Sequence, residues 1–308
     1  MRLVSGGPDS ARPQAGVAVA YFSAVGSTKL AAELLSELLL REAGPEAAPT
    51  LVDIEGDGAR AAVERSRFVV LCYPTYYLKP APPMADFVAE LGPFDPARPC
   101  YLITTCELYS ENGARRLAKL ALARGLIPVG RRALRATGSD VTAVAPAALT
   151  PWLFRFGPRF ESGLRAAARE IAAALRDAEP AAGRPRAALP LPRWYTPLTQ
   201  LLQFVALNHF DAVKYRLRVD ASRCTACGLC VARCPAGAFS EAAGAPRFEP
   251  ARCLLCCRCI HACPERAIAL FEGLKDNRRI DAALLARLEA DARRRLGLPS
   301  RAAPAAGN

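Results

Sequence analysis

Over the first 178 residues, short apolar runs alternate with segments in which apolar side chains recur every three or four positions. The runs predict strands at Val17–Phe22, Thr50–Ile54, Arg67–Cys72, Cys100–Thr105 and near Ile127–Ala136, since a short apolar run bounded by turn residues suits a buried strand. The periodic segments predict helices near Thr28–Arg41, Gly58–Arg65, Pro83–Leu91, Asn112–Arg124 and Glu161–Asp177. Strands that alternate with helices through short loops imply an α/β fold, a doubly wound parallel sheet covered on both faces. Residues 140–160 carry no such pattern.

The pattern stops in AEPAAGRPRAALPLPRWYTPL, residues 178–198, where five prolines break any period and predict a semi-rigid linker. An apolar helix follows near 197–213, but Gln200, Gln203, Asn208, His209 and Asp211 make it too polar to span a bilayer. Packing between domains is its expected role, and contact with a membrane surface through 194–213 is the lesser alternative. The expected division is a disordered tail at 1–15, a first domain at 16–178, linker and apolar helix at 179–213, a second domain at 214–275, and a C-terminal helix and tail at 276–308. The last contains IDAALLARLEADARRRL, amphipathic, with arginines in its final turn where they suit the helix dipole.

From Lys214 onward the texture changes. RCTACGLCVARCP at 223–235 and RCLLCCRCIHACP at 252–264 place four cysteines each at the same spacing, and the surrounding residues repeat at an offset of 29. Three soft thiolates in a tight C-x2-C-x2-C loop converge on an iron–sulfur cubane, whereas zinc sites use separated C-x2-C pairs. Residues 215–272 resemble the bacterial two-[4Fe–4S] ferredoxins. That resemblance implies a small α+β domain in which the fourth cysteine of each run ligates the other cluster: Cys224, Cys227, Cys230 and Cys263 for one, Cys253, Cys256, Cys259 and Cys234 for the second. Cys257, aligned with Gly228, is expected to be a bystander.

The first strand delivers Ser23-Ala24-Val25-Gly26-Ser27-Thr28 to the start of a helix, where free amide hydrogens and the dipole favour an anion. Neither the lysine of a P-loop nor a G-x-G-x-x-G is present, which disfavours nucleotide hydrolysis and a standard dinucleotide site. An ordinary helix cap by Ser27 or Thr28 is the alternative use. The pattern from Tyr21 through Ala32 resembles the FMN-phosphate loop of flavodoxins, with Val25 standing where that family often has threonine. The resemblance implies a five-stranded sheet of order 2-1-3-4-5 with FMN at the switch point. Pro74, Thr75, Tyr76 and Tyr77 would then follow strand three, and Thr105, Cys106, Tyr109 and Asn112 strand four, with the tyrosines as stacking candidates. In this order, the two resemblances are those of the flavodoxin–ferredoxin fusion family.

Composition bounds the rest. Twelve cysteines without a leader-like start predict a reducing, cytoplasmic setting. The net charge of +12 is uneven, with 16 basic and 15 acidic residues in 1–150 against 25 and 14 in 151–308. Thirty-six arginines against five lysines mark a compositional bias, and no helix-turn-helix pattern or aromatic interleaving supports nucleic acid. Two clusters and FMN in one chain imply electron transfer to or from a partner redox protein, with no catalytic residue required. The alternatives are a flavin oxidoreductase reducing a small acceptor such as a quinone, for which Glu107, Glu111 and Tyr109 are the only acids at hand, and a ferredoxin on a flavin-free docking domain. His209 and His261 read as structural.

Overall fold

The structure, a computed structural model, describes residues 14–76, 79–107, 110–139, 141–144, 148, 154–157, 159–177, 198, 201, 212–271, 273 and 276–301. The expected N-terminal tail, Tyr77, Tyr109, and most of the linker and apolar helix fall outside these.

The N-terminal half runs β1 (Gln14–Tyr21), α1 (Ser27–Ala43), β2 (Pro49–Asp53), α2 (Ala59–Arg65), β3 (Ser66–Tyr76), β4 (Lys79–Pro80), α3 (Pro82–Glu90), β5 (Arg98–Cys106), α4 (Glu111–Ala123), β6 (Leu126–Arg135), α5 (Val141–Val144) and α6 (Phe160–Asp177). The strands pair in parallel in the order β2-β1-β3-β5-β6, which is the flavodoxin-like order once the two-residue β4 is set aside. Alternation along each strand sorts the core into two layers. Val17, Val19, Phe68, Val70, Tyr101 and Ile103 face α1 and α6, while Ala18, Ala20, Val69, Leu71, Cys100 and Leu102 face α2, α3 and α4.

One boundary differs from expectation. The third strand does not end at Cys72 but continues to Tyr76, because β5 still pairs it at Tyr73 and Pro74 and β4 turns back on it at Thr75 and Tyr76. Pro74, Thr75 and Tyr76 are therefore strand residues rather than a free loop.

The C-terminal part contains β7 (Arg218–Val219), α7 (Leu229–Ala232), β8 (Phe239–Ser240), β9 (Arg247–Phe248), α8 (Arg258–Ala262), β10 (Ile268–Ala269) and α9 (Ala282–Leu296). The two copies interleave: β7 of the first pairs with β10 of the second, and β8 with β9. The backbone repeats as well as the sequence, for Ala226 and Leu255, Gly228 and Cys257, and Gly237 and Arg266 all have positive φ at the same offset.

After the cysteine region the chain returns to the first sheet. Ile280, Leu284, Leu288, Ala292 and Leu296 join the apolar layer of α1 and α6. The arginines expected to serve the helix dipole also pair outward. Arg293, 3% exposed, meets Glu37 of α1 and Glu289 of its own helix, and Arg295 meets Glu161; beyond the helix, Arg301 meets Glu33. Asp281 caps α9 by accepting from Leu284 N–H at 2.8 Å, and Gly297 closes it in the left-handed conformation. Among the described residues no helix is long and apolar enough to cross a membrane.

Candidate functional site

The interleaving of the two copies brings cysteines from both runs together. One cavity, of about 320 Å3, is lined by Cys224, Cys227, Cys230 and Cys263. A second, of about 20 Å3, is lined by Cys234, Cys253, Cys256 and Cys259, with Cys257 at its wall. Each set takes three thiols from one run and the fourth from the other. Backbone amides point at the sulfurs, Ala238 N–H to Cys234 Sγ, Leu255 N–H to Cys253 Sγ and Ala267 N–H to Cys263 Sγ, at 3.2, 3.3 and 3.3 Å. Among the described residues no His, Cys, Asp or Glu group closes on a single metal ion. Each set offers four soft thiolates, a donor chemistry that fits an iron–sulfur cluster.

Burial pushes the Cys256 thiol up to about 11 and raises Cys253, Cys259 and Cys230 as well. Such thiols ionise when bound iron supplies the compensating charge. Cys257 is buried, its Sγ 3.5 Å from Leu255 O, and it starts α8 with φ 54° where the first copy has glycine at φ 73°. Cys72 and Cys100 are small core residues whose thiols burial raises, and burial takes the half-buried Cys106 to about 11.

The two cysteine sets differ in surroundings. Cys227 is exposed, whereas Cys256 is 8% exposed and packs into the core layer that holds Phe22, Tyr73 and Tyr76. Arg258, two residues on, reaches the carboxyl end of the parallel sheet. Its guanidinium donates to Ser23 O at 2.9 Å and Ala24 O at 3.2 Å, pairs with both Glu55 oxygens, and lies 5.2 Å from the Phe22 ring. His261 fastens the same helix from the other side. Its Nδ1 accepts from Ile280 N–H at 3.1 Å, which makes Nε2 the donor to Ser139 O at 2.8 Å, and burial lowers its pKa to about 4.

The loop read as a phosphate site has an unusual set of partners. Ser23 Oγ accepts from Gly26 N–H at 3.0 Å. Gly26, at φ 95°, is the N-cap of α1 and no side chain caps that end. Ser27 and Thr28 are buried and their hydroxyls turn inward, to Thr137 and to Thr105 Oγ1. They are therefore not the helix cap that the sequence allowed. Val25 and Leu285 of α9 are both packed against the same apolar layer, and a Cβ placed on Gly26 would lie 2.5 Å from Leu285 Cδ1. Uncapped amides at a helix start suit a phosphate; Leu285 lies beside Gly26 at this end, and Arg258 holds the carbonyls of Ser23 and Ala24.

Of the remaining candidates, Thr75 donates to Thr105 O at 3.2 Å, and Tyr76 is 7% exposed in the layer that contains Cys256. Asn112 belongs to α4, and its side chain is outside the described residues, as are Tyr77 and Tyr109. Sequence reasoning passed over Arg258, Glu55, Leu285 and Ser139. One signal was available, because Arg258 stands where the first copy has Leu229, so the repeat breaks where the second copy meets the sheet.

Residues 217–240 match the family described as 4Fe-4S binding domain. No curated protein matches the chain. Among solved structures the chain is similar to a flavodoxin from the domain Archaea, at 14% identity and TM-score 0.39, covering 52% of this chain and 99% of that one. It is also similar to the two-electron reduced flavodoxin of Megasphaera elsdenii, at 15% identity and TM-score 0.39, over 51% and 98% of the two chains. An oxidoreductase from Corynebacterium diphtheriae is similar at 13% identity and TM-score 0.39, over 55% and 100%. The chain thus joins a flavodoxin-like α/β unit, defined by its strand order, to an iron–sulfur unit of ferredoxin type.

Proposed function

We propose that this chain transfers electrons between a partner redox protein and FMN at the flavodoxin-like unit, by way of two [4Fe–4S] clusters. The observation that carries this reading is the pair of mixed cysteine sets, one opening to solvent and the other set into the carboxyl end of the sheet. Cys224, Cys227, Cys230 and Cys263 hold the outer cluster, where exposed Cys227 leaves room for a partner. Cys234, Cys253, Cys256 and Cys259 hold the inner one. Burial of Cys256 excludes water on the sheet side, and Arg258 fixes the inner binding loop to Ser23, Ala24 and Glu55. FMN supplies the capacity to take one or two electrons where each cluster takes one. The amides after Ser23 offer its phosphate a site.

Iron, sulfide and released flavin per chain, measured on anaerobically purified protein, test the reading. About eight irons are expected, with a reduced EPR spectrum broadened by coupling between neighbouring clusters. Four irons or fewer after reconstitution would sink the two-cluster assignment. Leu285 beside the phosphate loop favours a second reading, a ferredoxin on a flavin-free docking unit, and that outcome would appear as the same iron without flavin even after FMN is added.

A further inference from the structure

The sheet's cofactor crevice and the helix that carries Leu285 belong to one chain, and they meet at one loop. Leu285 Cδ1 stands 2.5 Å from where a side chain on Gly26 would begin, beside the N-cap of the helix whose free amides a phosphate would meet. Arg258 uses the carbonyls of Ser23 and Ala24, and Glu55 of the first unit holds it there in a two-pronged pair. Val25 lies against the apolar layer that α9 completes, and an apolar residue suits a loop beside a leucine better than one open to water. The cover is anchored at a distance by Arg293 with Glu37 and by Arg295 with Glu161.

We propose that Leu285 gates the phosphate loop while Arg258 holds that loop by its carbonyls, so that FMN loads only when the leucine swings aside, with the iron–sulfur unit still seated on the sheet. The proposal rests on the FMN reading above. A ligand that needs the open form binds with an affinity reduced by the fraction of molecules that are open, and by reciprocity its binding loosens the cover.

The test is the dissociation constant of FMN for cluster-loaded full-length protein, read by quenching of FMN fluorescence, in wild type, Leu285→Ala and Arg258→Ala. Leu285→Ala should tighten FMN by about tenfold or more, as expected if under a tenth of the molecules are open. Riboflavin, which lacks the phosphate, should gain less than FMN. Arg258→Ala releases the carbonyls of the loop and should weaken FMN instead, which keeps a readout in the case in which Leu285→Ala fails to fold. Equal FMN affinity in wild type and both variants overturns the gate, and so does an equal gain for riboflavin. No FMN binding by any of the three also overturns it, since a gate then guards nothing; an unchanged iron content would separate that result from failure of the iron–sulfur assignment.

Discussion

At the scale of single residues, the two cysteine runs also share positions outside the proposed ligand sets. Gly228 and Cys257 hold the same left-handed place in the two copies, and an L-residue there costs roughly 1–2 kcal/mol. Cys257→Gly should therefore keep the full iron complement and leave stability unchanged or slightly raised, as checked by iron analysis and thermal unfolding; loss of one cluster would make Cys257 a ligand. Cys263→Ala should remove the cluster shared with Cys224, Cys227 and Cys230 while the EPR signal of the other persists. Loss of the neighbouring cluster alone would contradict the crossed sets. The cysteine spacing marked these residues as the proposed ligands because a cubane imposes such spacing on the local chain. Arg258 gave a fainter signal, a broken repeat, because its partners Ser23, Ala24 and Glu55 lie more than two hundred residues earlier.

At the scale of elements, α9 is the piece whose docking surface the sequence left open. Its amphipathic pattern was legible, but no pattern says which surface an apolar face will cover. It covers α1 and α6, with its arginines on acids of both helices. Leu288 is 4% exposed in that layer, so Leu288→Ala should cost about 2–5 kcal/mol, read in denaturant unfolding of the first unit. A cost under about 1 kcal/mol, the size of a surface substitution, would mean that α9 is not docked in solution. The strand and helix assignments of the first 178 residues agree with the structure to within a few residues at most ends, since buried strands and covering helices write their periods directly into the chain. β3 is the exception, extended by pairing with β5 and β4 that its own residues do not encode.

At the scale of the whole molecule, the iron–sulfur unit has a modest core, in which Leu217, Phe239, Leu255, Ile260, Ile268 and Leu270 make up most of the buried apolar side chains, and its strands are two residues long. Clusters bound by folded but not by unfolded chain contribute their binding free energy to folding. Removing iron with a chelator under reducing conditions should thus cost residues 214–271 their amide protection in hydrogen exchange, while the parallel sheet and α9 keep theirs. Uniform protection after iron loss would show that the unit folds without its clusters.

The sequence by itself determined the alternation that builds a doubly wound sheet, the duplicated cysteine runs and the loop type at the first helix, because each depends on neighbours within a few residues. Only the tertiary structure decided that β3 runs on to Tyr76, that Arg258 reaches Ser23 and Ala24, and that Leu285 lies beside Gly26, whereas the crossed cysteine sets were already implied by the resemblance to two-cluster ferredoxins. Those contacts join residues far apart in the chain, and packing of complementary surfaces, rather than any local period, selects them.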